Sequence, residues 1–255
     1  MALEFRNVTK RFTTANNALT AVSDVNFRVA PGEFVSVVGP SGCGKSTILS
    51  MTAGLYQPTE GEVLVSDAPV TGPNSHVGFM LQKDLLLPWR SIISNIEFGL
   101  EARGVAKAER RDRAMKELAH CQLAGFENHY PYQLSGGMRQ RAALARTLAI
   151  DPEIILLDEP FSALDAQTKL LLQNSFAGTI AETGKTTLLI THDLHEAVLM
   201  SDRILVLSER PGTIVAEIEV DLPRRDRPLE RRVMPQVADY AAQLFKHLKL
   251  EEKAA

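Results

Sequence analysis

The stretch GPSGCGKST, from Gly39 to Thr47, follows the apolar run FVSVV and precedes the helical pattern STILSMTAG. It matches the pattern G-x-x-x-x-G-K-[ST], in which backbone N–H groups and the start of a helix face the phosphates of a nucleotide. Gly42 and Gly44 allow the backbone to curl because neither carries a Cβ. Lys45 would place a positive charge near the β- and γ-phosphates, and the Ser46 hydroxyl would ligate Mg²⁺. The stretch therefore predicts nucleotide contacts from Gly39, Ser41, Gly42, Cys43, Gly44, Lys45, Ser46 and Thr47.

Length and composition indicate an ordinary globular chain with enough residues for one sizeable core. It has 255 residues, of which 45% are hydrophobic and 23% charged. Acidic residues number 31 and basic residues 28, so the net charge of −3 gives no reason to expect nucleic acid as a partner. Cys43 and Cys121 make no disulfide framework, and the start MALEFRNVTKRF lacks the apolar run of a signal peptide. No apolar run approaches the roughly 18 residues that a membrane-spanning helix needs, so we expect a cytoplasmic protein.

Short apolar runs rich in β-branched residues alternate with helical patterns along the chain, which is typical of a mostly parallel sheet covered by helices. Buried strands are predicted at Phe34–Val38, Ile154–Asp158, Leu188–Thr191 and Ile204–Leu207. The segments LEFRNV, VNFRV and EVLV alternate more clearly and favour an antiparallel sheet beside the parallel one. From about Pro88 to Ile150 helix formers dominate, which indicates a helical insertion.

A last helix is predicted near the C-terminus. Its apolar residues fall on one helical face, which we expect to pack on the protein's own core: Val237, Tyr240, Ala241, Leu244, Phe245 and Leu248. These patterns together predict one domain over residues 1–255, with residues 88–150 as an inserted helical subdomain and residues 229–255 as a helical tail.

The segment IILLDEP supplies the acidic element that a phosphate-binding loop requires. An apolar strand ends there in Asp158, whose carboxylate at the edge of the sheet can hold Mg²⁺, and Glu159 follows it directly. Two adjacent carboxylates at a strand end can divide into one directed at a metal and one that orients or deprotonates the attacking water.

The segment LSGGMRQR, from Leu134 to Arg141, predicts a second phosphate-directed helix start. Ser135 stands at an N-cap position, and Gly136 and Gly137 follow at the exposed start of a long helix. The sequence here resembles the ATP-binding-cassette (ABC) ATPases, whose signature LSGGQ has this form. Met138 stands where glutamine is commonest in that family.

The resemblance runs from about Phe5 to about Pro228 and implies an α/β fold. That fold is a P-loop NTPase core of the RecA-like type, with an antiparallel β subdomain and an inserted α-helical subdomain. Four more positions match family elements. Phe12 stands where an aromatic residue stacks on adenine, and Gln82, in FMLQKDLLLPW, matches a glutamine that senses Mg²⁺ and the attacking water. Asp165, in SALD, matches a loop between subunits, and His192 matches a histidine that contacts the γ-phosphate.

The resemblance further implies ATP hydrolysis with Mg²⁺, in which Lys45, Gln82, Glu159 and His192 act on the phosphoryl group or the water. Each complete site would take Ser135 and Gly137 from a second ATP-binding subunit, in a homodimer or a heterodimer. We also expect alkylation of Cys43 to block activity, with protection by ATP.

The segments around LLLPWRSIISNIEFGLEARGV and THDLHEAVLMSDRILVLSERPG look most like the nitrate, sulfonate and taurine importer group. That likeness implies two transmembrane permease subunits, a periplasmic or tethered substrate-binding protein, and a place at the cytoplasmic face of the bacterial inner membrane. Two alternatives stay open at this point. One is a soluble ABC ATPase without a transport role, and the other is an importer of another small solute, such as bicarbonate or a vitamin precursor.

Overall fold

The phosphate loop lies at the carboxyl end of a central strand in a six-stranded sheet. The computed structural model describes residues 1–14 and 17–248. Within them the strands are β1 (Leu3–Thr14), β2 (Asn17–Val29), β3 (Phe34–Val38), β4 (Glu60–Val65), β5 (Ala68–Pro69), β6 (Val77–Met80), β7 (Ile154–Asp158), β8 (Thr186–Ile190), β9 (Arg203–Leu207) and β10 (Ile214–Glu219).

The helices of the same residues cover both faces of that sheet. They are α1 (Lys45–Thr52), α2 (Ile92–Ala102), α3 (Lys107–His120), α4 (Gly136–Ala149), α5 (Ala166–Thr183), α6 (Leu194–Met200), α7 (Pro228–Arg231) and α8 (Gln236–His247), with a 3₁₀ turn at Pro131–Gln133. No helix among the described residues is both long and apolar enough to cross a membrane.

The larger sheet has the strand order β10-β9-β3-β8-β7-β6, and all its pairs are parallel except that between β9 and β10. Strands β3 and β8 are buried along their whole length because helices or the second sheet cover both faces. The predicted strands Phe34–Val38 and Ile154–Asp158 are confirmed to the residue. Strand β8 is displaced from its prediction and runs over Thr186–Ile190, while β9 begins one residue early, at Arg203.

The second sheet is antiparallel, with the order β2-β1-β4-β5, as the alternating N-terminal pattern predicts. Its inner face packs on the parallel sheet in one apolar cluster that includes Val8, Val25, Val35 and Ile48. This contact places β2 beside the phosphate loop.

Helices α2, α3 and α4 lie between β6 and β7 in the chain, within the stretch predicted to be helical. Buried Asn95 fixes the start of this block, since its side-chain oxygen accepts from the Leu87 amide at 2.7 Å and its amide nitrogen donates to the Leu87 carbonyl at 3.1 Å. Ser91 caps α2 by accepting from the Ser94 amide at 3.4 Å. The α/β fold with a β subdomain and a helical insertion is therefore confirmed.

The C-terminal helix α8 buries a narrower face than its sequence predicts. Val237, Ala241 and Leu244 are buried, and Tyr240 and Leu248 are partly buried against the apolar cluster that contains residues of α6 and β9, whereas Phe245 is 41% exposed. Tyr240 accepts a hydrogen bond from the Asp221 amide at 3.0 Å through its hydroxyl. Residues 249–255 of the predicted tail lie outside the described residues.

Candidate nucleotide site

The phosphate loop follows β3 and ends at Gly44, which is the N-cap of α1. The backbone of Gly42 and Gly44 has φ values of 76° and 107°, in the region that favours glycine. A Cβ on Gly44 would lie 2.4 Å from Cγ1 of Val22, so β2 leaves no room for a side chain there. The strand, loop and helix order predicted for this stretch is confirmed.

Lys45 is buried and stabilises the loop from inside. Its Nζ donates to the carbonyl oxygens of Gly39 and Pro40 at 2.8 and 2.9 Å. The Cys43 thiol is buried as well, with Sγ 3.9 Å from that Nζ. Cys43 does not line the space above the loop, and alkylation of its buried thiol requires the loop to open.

A cavity of about 300 Å³ lies above the loop. Its lining includes Phe12, Ser41, Gly42, Gly44, Lys45, Ser46, Thr47 and Glu159, all of which the sequence motifs predict. It also includes Leu19, Ala21 and Arg210, which they do not. A larger open groove of about 630 Å³ lies on the outer face at Glu4, Arg28 and Arg203, but its charged groups are paired with one another.

Phe12 forms one end of the cavity above the loop. Its ring meets that of Tyr56 edge-on with centroids 5.3 Å apart, and Lys10 Nζ lies 5.1 Å from the Phe12 centroid. A half-buried aromatic face of this kind can stack on a nucleotide base.

Ser46 and Asp158 bring two oxygen donors together at the other end. Ser46 Oγ donates to Asp158 Oδ1 at 3.3 Å, across the gap between the start of α1 and the end of β7. Burial raises the pKa of the Asp158 carboxyl, and the neighbouring Glu159 raises it further, although the Ser46 hydrogen bond acts in the opposite direction. A carboxylate and a hydroxyl are ligands that Mg²⁺ prefers, and a cation would offset the cost of the buried charge. The residues present therefore fit magnesium.

Glu159 and His192 form a dyad at the mouth of the cavity. His192 Nδ1 lies 2.9 Å from Glu159 Oε2, because the two residues follow the ends of the neighbouring strands β8 and β7. Glu159 has a φ of 46°, and its amide donates to the Ile190 carbonyl at 2.9 Å. A left-handed backbone at a non-glycine residue costs about 1–3 kcal/mol and is concentrated at functional sites. The left-handed backbone at Glu159 fits a residue whose carboxylate must be held in one orientation.

Gln82 joins this dyad through Ser162. Gln82 Nε2 donates to Ser162 Oγ at 3.1 Å, and that hydroxyl donates to the Glu159 carbonyl at 2.9 Å. The structure therefore brings Gln82, Glu159 and His192 into one connected group.

The predicted N-cap at Ser135 is confirmed, since its hydroxyl accepts from the Met138 amide at 3.3 Å. Met138 packs against the helical core, which explains why this position holds an apolar side chain in place of glutamine. Gly137 packs closely on α5, because a Cβ there would lie 3.0 Å from Cγ2 of Thr168. Residues 135–137, all of them described, do not line the cavity above the phosphate loop of their own chain.

Asp165 caps α5, accepting from the Thr168 amide at 3.0 Å, and that hydrogen bond lowers the pKa of its carboxyl. One turn later, Lys169 Nζ contacts Asp193 Oδ2 at 2.8 Å and Glu196 Oε2 at 2.9 Å. Asp193 follows His192 in the chain. Lys169 therefore ties the start of α5 to the segment that carries His192.

Comparison with known proteins decides the family. The ABC transporter family model matches residues 22–162, which is more than half of the chain. The chain belongs to the ABC transporter family. An uncharacterized ABC transporter ATP-binding protein of Methanocaldococcus jannaschii, MJ0412, is 49% identical over 226 residues, covering 88% of this chain and 85% of the relative. This ABC ATPase is also 47% identical over 205 residues to the taurine import ATP-binding protein TauB of Yersinia pestis biovar Antiqua, covering 80% of each.

The solved structures give the same assignment. The dimeric ATP-binding cassette MJ0796, bound to ADP and Pi, superposes with a TM-score of 0.74 and 35% identity, covering 86% of this chain and 99% of that one. The resemblance to ABC ATPases, the fold and the assignment as an ATP-hydrolysing transporter subunit are thereby confirmed.

Arg210 and Lys169 are two charged residues near the site that sequence motifs did not identify. Each reaches its partners from a distant part of the chain, and neither belongs to a recognised pattern. The segment SERPG, which contains Arg210, carried only a likeness to one importer group.

Proposed function

We propose that this ABC ATPase subunit energises a bacterial importer of a small anion such as nitrate, a sulfonate or taurine. The first support is similarity: relatives in Yersinia pestis and in Burkholderia thailandensis, 47% and 48% identical, are taurine import ATP-binding proteins. In this proposal the chain works as a peripheral subunit at the cytoplasmic face of the inner membrane. Its partners are a second ATP-binding subunit, two permease subunits, and a periplasmic or tethered binding protein.

The structural observation that carries the importer proposal is an exposed apolar patch, formed by residues of the segment between β6 and α2 and of α2 itself. Leu81, Leu85, Trp89 and Phe98 are each at least 40% exposed, and Trp89 is 72% exposed. An apolar patch of this kind on a soluble surface marks a protein or membrane contact. It lies where the core meets the helical insertion, so it can receive a short helix of a permease.

The same patch lies next to Gln82, which links it to the nucleotide site. Gln82 follows Leu81 directly and reaches Glu159 through Ser162. Movement of a partner bound to the patch would therefore be transmitted through Gln82 and Ser162 to Glu159, the residue that we assign to the attacking water.

For hydrolysis we assign each residue a role from its position. Lys45 and the loop amides hold the β- and γ-phosphates. Ser46 and Asp158 would hold Mg²⁺, which neutralises charge on the phosphate oxygens when bound. Glu159 accepts a proton from the attacking water, and His192, whose Nδ1 holds Glu159, has Nε2 left to face the γ-phosphate.

We assign the second half of each site to the partner subunit. Ser135 and the helix start behind it would bind the γ-phosphate of a nucleotide held by the other chain, because in their own chain they lie outside the cavity. The dimeric form of MJ0796, which is 35% identical, supports pairing of two cassettes.

Capture of partners from solubilised membranes of the native host tests the importer proposal. We expect tagged protein to recover a multi-spanning permease, identified by mass spectrometry. The variant Trp89→Asp should lose that permease because a charge at the most exposed residue of the patch opposes apolar docking. Val233→Asp is the matched control, since Val233 is also exposed and lies in the C-terminal segment away from the patch.

Recovery of soluble partners alone, such as ribosomal or DNA-repair proteins, would contradict the transport role and favour the soluble alternative. If a permease is recovered, titration of its binding protein with nitrate, taurine, bicarbonate and vitamin precursors identifies the solute. Binding of a vitamin precursor alone would overturn the small-anion assignment.

A further inference from the structure

The turn between β9 and β10, residues 208–213, presses against the phosphate loop. Arg210 donates from Nε and Nη2 to the same acceptor, the Gly42 carbonyl oxygen, at 2.8 and 2.7 Å. A Cβ on Gly42 would lie 2.7 Å from Nη2 of Arg210, so the guanidinium occupies the space beside this glycine. The nucleotide-binding pattern alone gives no sign of this contact.

The turn also rests on the next residue of the loop. Gly212 lies so close that a Cβ on it would stand 2.1 Å from the Cys43 carbonyl oxygen. Its own amide donates to the Ala21 carbonyl at 3.0 Å, and its carbonyl accepts from the Ser23 amide at 3.0 Å. The turn is therefore held by β2 on one side while it meets the phosphate loop on the other.

Two cations hold the loop. Lys45 binds the Gly39 and Pro40 carbonyls, and Arg210, which reaches the loop from the turn after β9 and lines the same cavity, binds the Gly42 carbonyl. The peptide unit is planar, so fixing the Gly42 oxygen also fixes the plane that carries the Cys43 nitrogen, and with it the direction of the amides that follow. A forked guanidinium fixes an acceptor more tightly than a flexible ammonium, and it stays charged at every physiological pH.

We propose that Arg210 is a positioning residue of the phosphate loop, which holds the Gly42 carbonyl so that the loop amides face the nucleotide phosphates. The inference rests on the loop as a nucleotide-binding element and is independent of the importer proposal. It predicts that loss of the fork loosens the loop and weakens ATP binding, while the chemical step of bound ATP is little changed.

The buried Cys43 thiol supplies a direct reading of loop opening. We would measure alkylation of each cysteine by iodoacetamide in the nucleotide-free chain, using mass spectrometry. Cys121 is the internal control, because it is buried among the helices of the insertion, where desolvation raises its pKa to about 12. Alkylation at Cys121 therefore reports opening of the whole fold and not of the loop.

The variants are Arg210→Gln, Arg210→Lys and the control Arg224→Gln, which alters an exposed arginine paired with Glu230. In Arg210→Gln we expect Cys43 to react about tenfold faster and ATP to bind about tenfold more weakly. A tenfold change corresponds to the free energy of about one charge-assisted hydrogen bond. The value of kcat at saturating ATP should change less than twofold. Arg210→Lys should recover only part of both effects because an ammonium cannot form the fork.

An unchanged rate of Cys43 alkylation in Arg210→Gln would overturn the proposal. So would a joint rise at Cys43 and Cys121, which would show general destabilisation. Faster Cys43 alkylation with unchanged ATP affinity would also refute it, because the loop would then move without consequence for the phosphates. If Arg210→Gln does not fold, Arg210→Lys is read by the same criteria.

Discussion

The two helix starts that we assign to phosphate binding, at Gly44 and at Ser135, both offer backbone amides but lie in different surroundings. The first is enclosed by a cavity and accompanied by Lys45, Asp158 and Glu159. The second is capped only by Ser135, and the nearby Arg139 is engaged by Asp84 and the Leu134 carbonyl. This difference supports our proposal that the first helix start carries the chemistry while the second supplies a surface that completes the site of a partner chain.

Among the variants that test this comparison, removal of the Glu159 carboxylate should have the largest effect on ATP hydrolysis. We expect Glu159→Gln to bind ATP but to hydrolyse it about 10²- to 10⁴-fold more slowly, the usual contribution of a general base. The closed dimer should accumulate with ATP, visible by size-exclusion chromatography. Phosphate release gives the rate, and Glu62→Gln, an exposed glutamate paired with Arg6, is the control. Unchanged turnover in Glu159→Gln would contradict the role that we give to Glu159.

Mixing two inactive chains tests whether the two helix starts belong to one shared site. Lys45→Ala disables the first end and Ser135→Arg blocks the second, so each variant alone has a defect in both sites of its homodimer. In an equal mixture, half of the dimers are mixed and each has one intact site, so about a quarter of the native rate should return. A mixture that stays inactive would show that each chain builds its site alone.

Sequence predicted the elements of the site whose parts are neighbours in the chain. Gly39–Thr47 and Asp158–Glu159 each follow an apolar strand directly, and that local order sufficed to identify them. Arg210 was missed because its partner, Gly42, lies 168 positions away and the contact depends on the pairing of β9 with β3.

The misses in the fold have similar physical causes. Strand β6 has only four residues, and β10 lies at the sheet edge with alternating polar residues, so neither resembles the long buried runs. In α8, helical spacing predicted a stripe of six apolar residues, of which five are buried or partly buried while Phe245 is 41% exposed. Periodicity gives the direction of a face, whereas the neighbouring elements decide how much of it is buried.

The smallest expected effect contrasts two aspartates: Asp158, beside the first helix start, and Asp165, which caps α5, the helix on which Gly137 of the second helix start packs. The pKa of Asp158 is raised by burial, whereas that of Asp165 is lowered by the Thr168 amide. Without magnesium, ionised Asp158 therefore costs stability above its pKa in the folded chain, and Asp165 contributes stability above its ordinary pKa of 3.8. At pH 7 in EDTA we expect Asp158→Asn to raise the free energy of unfolding by about 1 kcal/mol.

Asp165→Ala should lower the free energy of unfolding, because it removes the N-cap of α5. Urea unfolding measures both changes. The gain from Asp158→Asn should shrink as the pH falls toward 3.8, because the raised pKa lets the Asp158 carboxyl take up its proton in the folded chain first. The loss from Asp165→Ala should persist down to pH 3.8 and shrink only below it, because the folded-state pKa of Asp165 is lowered. Addition of ATP with magnesium should then make the native chain more stable than Asp158→Asn, because only the native carboxylate can share its charge with the cation. If Asp158→Asn is the less stable chain in EDTA, this carboxylate contributes to the fold by itself. The acidic group beside Gly44 would then not reduce the stability of the fold. The two helix starts would in that case differ in the cavity around them and not in the energetic cost of their charged groups.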